Sequence, residues 1–233
     1  MIDLVKQYWQ QYLWGTLAHP TGLVITLWLL VASLGLGFIL AVPLAVAKAS
    51  RNRWFSIPVS LYAYVIRGTP LYVQLLLIYS GLYSLDAVRS TPFLSAFFRD
   101  AFNCTILAFT LNTAAYTTEI FAGAIKATSP GEIEAARAYG MSGLTIYRCI
   151  ILPSALRRAL PAYSNEVILM LHATTLAATA TVPDLLKVAR NASSDYYMPF
   201  VAYGLAAVLY FCVSLALIRA FRSAERKWLA YLR

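Results

Sequence analysis

Three observations in the 233-residue sequence point to one fold class: an all-α, polytopic membrane protein of five transmembrane helices, N-terminus outside and C-terminus in the cytoplasm. Hydrophobic residues make up 60% of the chain and charged residues only 12%, where a soluble domain carries about 25% charged residues. The apolar residues come in runs long enough to cross a bilayer. The basic residues gather in the short segments between those runs. At about 20 residues per span the chain has room for several spans but not for a separate catalytic domain, so one membrane domain is expected over residues 22–225.

The first span is expected at 22–47. No Asp, Glu, Lys or Arg lies between Lys6 and Lys48, and the apolar stretch would reach about 39 Å as a helix, against a hydrocarbon core of about 30 Å. A cleaved signal peptide would show an apolar region of only about 7 to 15 residues. By the same test, further spans are expected at 54–83 with Arg67 inside it, 104–125 with Glu119, 155–179 with Glu166, and 198–220. Residues 1–21 then form an extracytoplasmic segment, 126–153 a cytoplasmic loop and 221–233 a basic cytoplasmic tail.

Orientation follows from the basic residues, because positively charged loops stay in the cytoplasm. With the N-terminus outside, the cytoplasmic segments hold Lys48, Arg51, Arg53, Lys126, Arg137, Arg148, Arg157, Arg158, Arg219, Arg222, Arg226, Lys227 and Arg233. The outside holds only Lys6, Arg89, Arg99, Lys187 and Arg190. The same scatter argues against nucleic acid as the reason for the net charge of +9, since no aromatic-interleaved basic patch forms. Cys104, Cys149 and Cys212 stand alone in apolar surroundings, which indicates neither a disulfide framework nor a zinc site.

An ionised carboxylate at bilayer depth costs about 2.5 to 3.5 kcal/mol on insertion scales, so Glu119 and Glu166 are expected to face protein or water. Asn112, Tyr116 and Glu119 are spaced i, i+4, i+7 and share one helical face. Glu166, Met170 and Ala173 share a face of the fourth span, and Asn165 aligns with His172. Two acids directed at a common cavity would favour a cationic side chain or an ammonium group. Glu166, Glu119, Asn112, Tyr116 and Asn165 are therefore the candidate binding residues. The competing account makes Glu119 interhelical glue paired with Arg67, and His172 a packed histidine. Pro70 removes a backbone hydrogen bond and drives Thr69 toward extended geometry, so Gly68-Thr69-Pro70 interrupts the second span, either flanking a pathway or as a plain kink.

The long cytoplasmic loop carries Glu134-Ala135-Ala136, then Gly140, then Ile150 and Leu152-Pro153. This pattern resembles the EAA loop of the membrane subunits of ATP-binding-cassette importers. Ser129-Pro130 followed by Glu132 and Glu134 predicts a helix start, and Gly140 a sharp stop, so two short helices are expected to meet there as a knob. The knob would offer Ala135 and Ala136 beside Tyr139 and Met141 to a groove on a cytoplasmic partner.

Arg67-Gly68-Thr69-Pro70-Leu71-Tyr72-Val73-Gln74-Leu75 and Asn112-Thr113-Ala114-Ala115-Tyr116-Thr117-Thr118-Glu119 are similar to signature segments of the polar amino acid permeases. So are Leu160-Pro161-Ala162-Tyr163-Ser164-Asn165-Glu166 and Thr181-Val182-Pro183-Asp184-Leu185. Within that family the chain looks most like the M-type subunits of histidine, lysine, arginine and ornithine permeases. It departs from many relatives at Ala122 and at His172-Ala173-Thr174-Thr175.

The resemblance implies a type I importer (MetI-like) permease fold in the bacterial inner membrane, and a polar, cationic amino acid as substrate. It implies a homologous Q-type membrane subunit as heterodimer partner, two ATPase subunits and a periplasmic binding protein. It also implies ATPase coupling through Glu134, Ala135, Ala136, Gly140, Ile150, Leu152 and Pro153. The sequence has no Gly-x-x-x-x-Gly-Lys-[Ser/Thr] phosphate loop, so ATP and magnesium are expected on the ATPase subunits and no cofactor on this chain. No Ser/His/Asp set or metal-ligand cluster suggests an enzyme. An odd number of spans without an inverted repeat argues against a secondary transporter.

Overall fold

The computed structural model of the protein describes residues 2–16 and 18–229, and its regular structure is helical. In chain order the helices are α1 (Ile2–Leu13), α2 (Leu23–Ala49), α3 (Arg53–Gly68), α4 (Leu71–Leu76), α5 (Leu82–Ser84), α6 (Asp86–Ser90), α7 (Pro92–Arg99), α8 (Ala101–Lys126), α9 (Pro130–Ala138), α10 (Gly143–Ile146), α11 (Leu152–Ala173), α12 (Leu185–Tyr196) and α13 (Pro199–Trp228). π-Helical turns at Leu77–Gly81 and Tyr147–Ile151 join α4 to α5 and α10 to α11, and a 3₁₀ segment, Thr174–Ala180, follows α11.

Several helices begin where local chemistry dictates. The Asp100 side chain accepts a hydrogen bond from the Phe102 N–H at 2.8 Å and caps α8. Asp184 does the same for α12 through the Lys187 N–H at 2.9 Å. Pro199 opens α13 at its first turn, where a missing N–H costs nothing.

Packing centres on α2 and α8. On α2 the buried face runs through Ser33, Gly37, Ala41 and Ala45, small residues at intervals of four. A methyl group at Gly37 would overlap the Thr113 methyl of α8. Small residues let two backbones approach closely, which is how helices associate where lipid removes the hydrophobic drive. α8 is buried around most of its circumference, from Cys104 and Thr105 to Phe121, Ala122 and Ile125.

Three apolar clusters stack along the bundle. One joins Leu4, Tyr8 and Tyr12 of α1 to Leu185, Val188 and Ala192 of α12 and Ala202 and Ala206 of α13. The middle one holds Leu29, Leu30, Leu75, Phe109 and Leu171. The third, at the loop end, holds Ala45, Phe121, Ile125, Ala136, Ile146, Ile151 and Ala155.

Several expectations change in the structure. The second span is not one rod: α3 and the helical stretch Leu71–Ser84 are bent by 101° at Thr69-Pro70. In the loop at 126–153 two short helices, α9 and α10, flank Gly140 as expected, but the second does not stop. α10, the π turn and α11 run on continuously in helical backbone, so the fourth long helix starts before Ala155. The last helix continues through Trp228, so most of the expected tail is helical and only residues 230–233 lie outside the described residues.

The segment 1–21 contains the amphipathic α1, which hydrophobic run length alone does not reveal. By length and apolarity α2 and α13 are clear membrane-crossing helices, and the bent α3 pair qualifies as one more. α8 and α11 have the length at 26 and 22 residues. Their apolar character is diluted by polar residues such as Asn112, Thr113 and Glu166, which are turned into the protein.

Gly22 is where the ends close together. Its φ is +64°, its N–H donates to the Pro183 carbonyl at 2.9 Å, and a Cβ there would overlap the carbonyl oxygens of Gln11 and Tyr12. Gly204 in α13 has open space around its Cβ position. Gly22→Ala is expected to lower the melting temperature of the detergent-purified protein by several degrees, because neither the backbone angle nor the space suits a side chain. Gly204→Ala should leave it unchanged or raise it slightly. Equal melting temperatures for the parent and Gly22→Ala would contradict this role for the Gly22 closure.

Candidate functional site

The break in the second span is held open by one side chain. Gln74, buried in α4, donates through Nε2 to the Ile66 carbonyl at 2.6 Å, the Thr69 carbonyl at 3.0 Å and Thr69 Oγ1 at 2.7 Å. Its Oε1 accepts from Asn112 Nδ2 on α8 at 3.1 Å. Backbone groups freed by Pro70 are thus satisfied inside the protein, as non-helical backbone at membrane depth requires. Tyr62 of α3 donates to the Leu111 carbonyl at 2.6 Å and ties the other limb of the break to α8.

A cavity of about 470 Å³ opens between this break, α8 and α11, lined by Arg67, Gly68, Thr69, Pro70, Leu71, Asn112, Tyr116, Glu166, Leu169, Met170 and Ala173. Glu166 is buried, and its Oε1 accepts from Thr113 Oγ1 at 3.2 Å. The Arg67 guanidinium carbon stands 5.1 Å from the centre of the Tyr116 ring. That cation–π contact contributes about 0.5 to 2 kcal/mol depending on how dry it is. The cavity therefore carries one acid, one guanidinium, a primary amide and an apolar wall from Leu169 and Met170.

A second cavity of about 670 Å³ lies against the first, lined by Lys48, Ile57, Ser60, Leu61, Tyr64, Arg67, Gly68 and Glu119. Arg67 and Gly68 belong to both. Glu119 pairs with Lys48 Nζ, and its Oε1 also lies 3.4 Å from Arg67 Nη1. One carboxylate serves two cations, which leaves the trio with a net charge of +1.

Of the residues singled out in the sequence, Asn112, Tyr116 and Glu166 line one cavity together with Met170 and Ala173. Glu119 sits in the neighbouring cavity and is already neutralised. The picture of two unbalanced acids facing a common space is thus revised: of the two, Glu119 is paired with cations and Glu166 has none within ion-pair distance among the described residues. Asn165 and His172 are exposed and line neither cavity.

Residues missed as site members are Lys48, Thr113 and Gln74. Thr113 follows Asn112 directly, and Gln74 sits four residues after Pro70, where a broken helix needs an amide. Lys48 is 71 positions from Glu119 and carries no local signal.

At the loop end, α9 closes in a Schellman motif: the Gly140 N–H donates to the Arg137 carbonyl at 2.9 Å and the Met141 N–H to the Ala136 carbonyl at 3.1 Å, with Gly140 at φ +77°. Glu134, Ala135, Tyr139 and Leu144 are exposed. Ala136 is turned inward onto Phe121 and Ile125, so the outward knob presents Ala135 and not the pair of alanines. Ile150, Leu152 and Pro153 are half-buried on the helical stretch leading into α11. Arg158 ties that stretch to the end of α8, donating to the Ala124 carbonyl at 3.1 Å and to Thr128 Oγ1 at 2.7 Å.

A family model described as the binding-protein-dependent transport system inner membrane component matches residues 33–227. The histidine/lysine/arginine/ornithine transport system permease protein HisM of Salmonella typhimurium is 60% identical over 232 residues, covering 100% of this chain and 99% of the relative. The octopine transport system permease protein OccM of Rhizobium radiobacter is 40% identical over 215 residues, covering 92% of this chain and 87% of the relative. Among solved structures, an amino acid ABC transporter crystallised with histidines matches with a TM-score of 0.77 and 34% identity, over 88% of this chain and 92% of that one. The MetNI methionine transporter in an inward-facing form matches in fold, with a TM-score of 0.68 at 20% identity over 87% and 94% of the two chains.

Proposed function

Because the chain belongs to the family of binding-protein-dependent transport system inner membrane components, we propose that it is the permease subunit through which an ATP-binding-cassette importer carries histidine, lysine, arginine and ornithine. As a member of that family it is a multi-pass inner-membrane transport component and not an enzyme. The charge layout of the first cavity carries the substrate class. Arg67 and Glu166 face one space, and an α-amino acid presents a carboxylate to the first and an ammonium to the second. A guanidinium offers a planar fork that matches a carboxylate, and a buried acid favours a cation. The identity to HisM over the whole chain supports the cationic set. The cavity volume lies in the usual range for small-molecule sites.

In this reading Glu166, Asn112 and Tyr116 contact the substrate and Arg67 anchors its carboxylate. A homologous Q-type membrane subunit completes the path, since α3 leaves Leu61 and Tyr64 exposed beside the open second cavity. A periplasmic binding protein delivers the substrate. Two ATPase subunits, which hold ATP and magnesium, drive the change of access. They dock on the knob of Glu134, Ala135, Tyr139 and Gly140, and Ile150, Leu152 and Pro153 carry the push into α11. The chain crosses the membrane five times with its N-terminus outside, and the population of outward and inward states follows the ATPases.

Glu166→Gln keeps size and hydrogen bonding while removing the charge. Arginine and lysine uptake by cells carrying only this variant should fall about tenfold or more, the scale of one lost charge-assisted interaction. ATPase stimulation by the binding protein should persist. Normal cationic uptake, or loss of assembly, would make Glu166 structural. Gly140→Val, strained at positive φ, should separate ATP hydrolysis from uptake in an intact complex, and unchanged uptake would remove the docking role. A reporter active only outside the cytoplasm should work when fused near Ser90 and fail after Arg233; the reverse would overturn the orientation.

A further inference from the structure

Glu119 lies 3.4 Å from Arg67 and pairs with Lys48, and neither Glu119 nor Lys48 lines the first cavity. We propose that Glu119 is a positioning residue: backed by Lys48, it holds Arg67 across Tyr116 so that the guanidinium faces a substrate carboxylate. The inference rests on the reading of the first cavity as the amino acid site.

The geometry supports a hold of intermediate strength. A charge-assisted N–H···O bond is about 2.7 to 2.9 Å long, and the Arg67–Glu119 separation is 3.4 Å. Glu119 leans to Lys48, whose side chain is the more buried of its two partners. Arg67 is therefore steered by an acid without being saturated by it, and its remaining donors stay available to a second carboxylate. Without the acid, a long side chain in the last turn of α3, next to the broken backbone at Thr69-Pro70, keeps only its contact with the Tyr116 face to set its direction. The trio's net charge of +1 falls on the wall shared by the two cavities, where an arriving carboxylate balances it.

This assigns the acid on α8 to the carboxylate end of the substrate, opposite to the role expected of an acid facing a cationic substrate. The distinction is measurable, because agmatine is arginine without its carboxylate. Equilibrium binding of L-arginine and of agmatine to the purified membrane complex, without binding protein, reads it directly. Glu119→Gln should weaken arginine roughly tenfold, the loss of one charge-assisted contact, and leave agmatine within about twofold.

The exchange Lys48→Glu with Glu119→Lys restores an ion pair between α2 and α8 but puts a cation beside Arg67. It should assemble like the parent complex and still bind arginine weakly. Recovery of arginine binding in the exchanged protein, equal weakening of both ligands by Glu119→Gln, tighter arginine binding, or failure of both variants to assemble would each overturn the proposal. Arg67→Gln separates the two levels: if it too leaves the arginine-to-agmatine ratio unchanged, the cavity reading itself fails. If it collapses the ratio while Glu119→Gln does not, only the positioning role fails.

Discussion

Inside a bilayer, apolar side chains gain little by leaving lipid for protein, so close backbone approach and hydrogen bonding must hold helices together. The seam between α2 and α8 meets that requirement with Ser33, Gly37, Ala41 and Ala45 on one side and a helix buried almost all round on the other. Both cavities are built against α8. It supplies Asn112 and Tyr116 to one cavity and Glu119 to the next, and it anchors both limbs of the broken α3–α4 pair through Gln74 and Tyr62. Widening the seam would move all of these groups together.

The break at Thr69-Pro70 shows how the chain tolerates a feature that lipid forbids. Pro70 costs a backbone hydrogen bond, and the freed carbonyls would each be expensive in hydrocarbon. Gln74 gathers them from within, and the bend it stabilises makes room for the first cavity. Charge is handled in the same economical manner. Glu119 is shared by Lys48 and Arg67, while Glu166 is buried with a single hydroxyl donor from Thr113. The account of Glu119 as an interhelical partner of Arg67 thus matches the structure, while Glu166 stands on the cavity wall from which a binding role is proposed.

The loop end is packed onto the long helices. The Schellman turn at Gly140 lets α9 reverse, while Ala136, Ile146 and Ile151 fasten the turn to the ends of α8 and α11. A force applied to the exposed Ala135 and Tyr139 reaches α11 through packed side chains and the continuous helical backbone that follows Gly143. Glu166 stands on that same helix, so α11 joins the packing at the loop end to the first cavity.

Sequence alone determined the class of solvent, the long apolar segments, the interruption at Pro70, the glycine stop in the loop, and the family. Each of these rests on local composition, on short-range periodicity or on fixed motif spacing. The shared helical faces of Asn112 with Tyr116 and of Glu166 with Met170 were legible for the same reason. The helices run beyond the expected spans at Ala155 and Ala220 because hydropathy marks the lipid boundary, whereas a helix continues until its backbone is capped. The amphipathic α1 was missed because its apolar stripe of Leu4, Tyr8 and Tyr12 only acquires meaning against α12 and α13. Only the tertiary structure decided that Lys48 reaches Glu119 across 71 positions and that Arg67 divides two cavities. It also decided that Ala136 faces inward. Such pairings depend on how tightly helices distant in sequence pack together, and no local pattern encodes that.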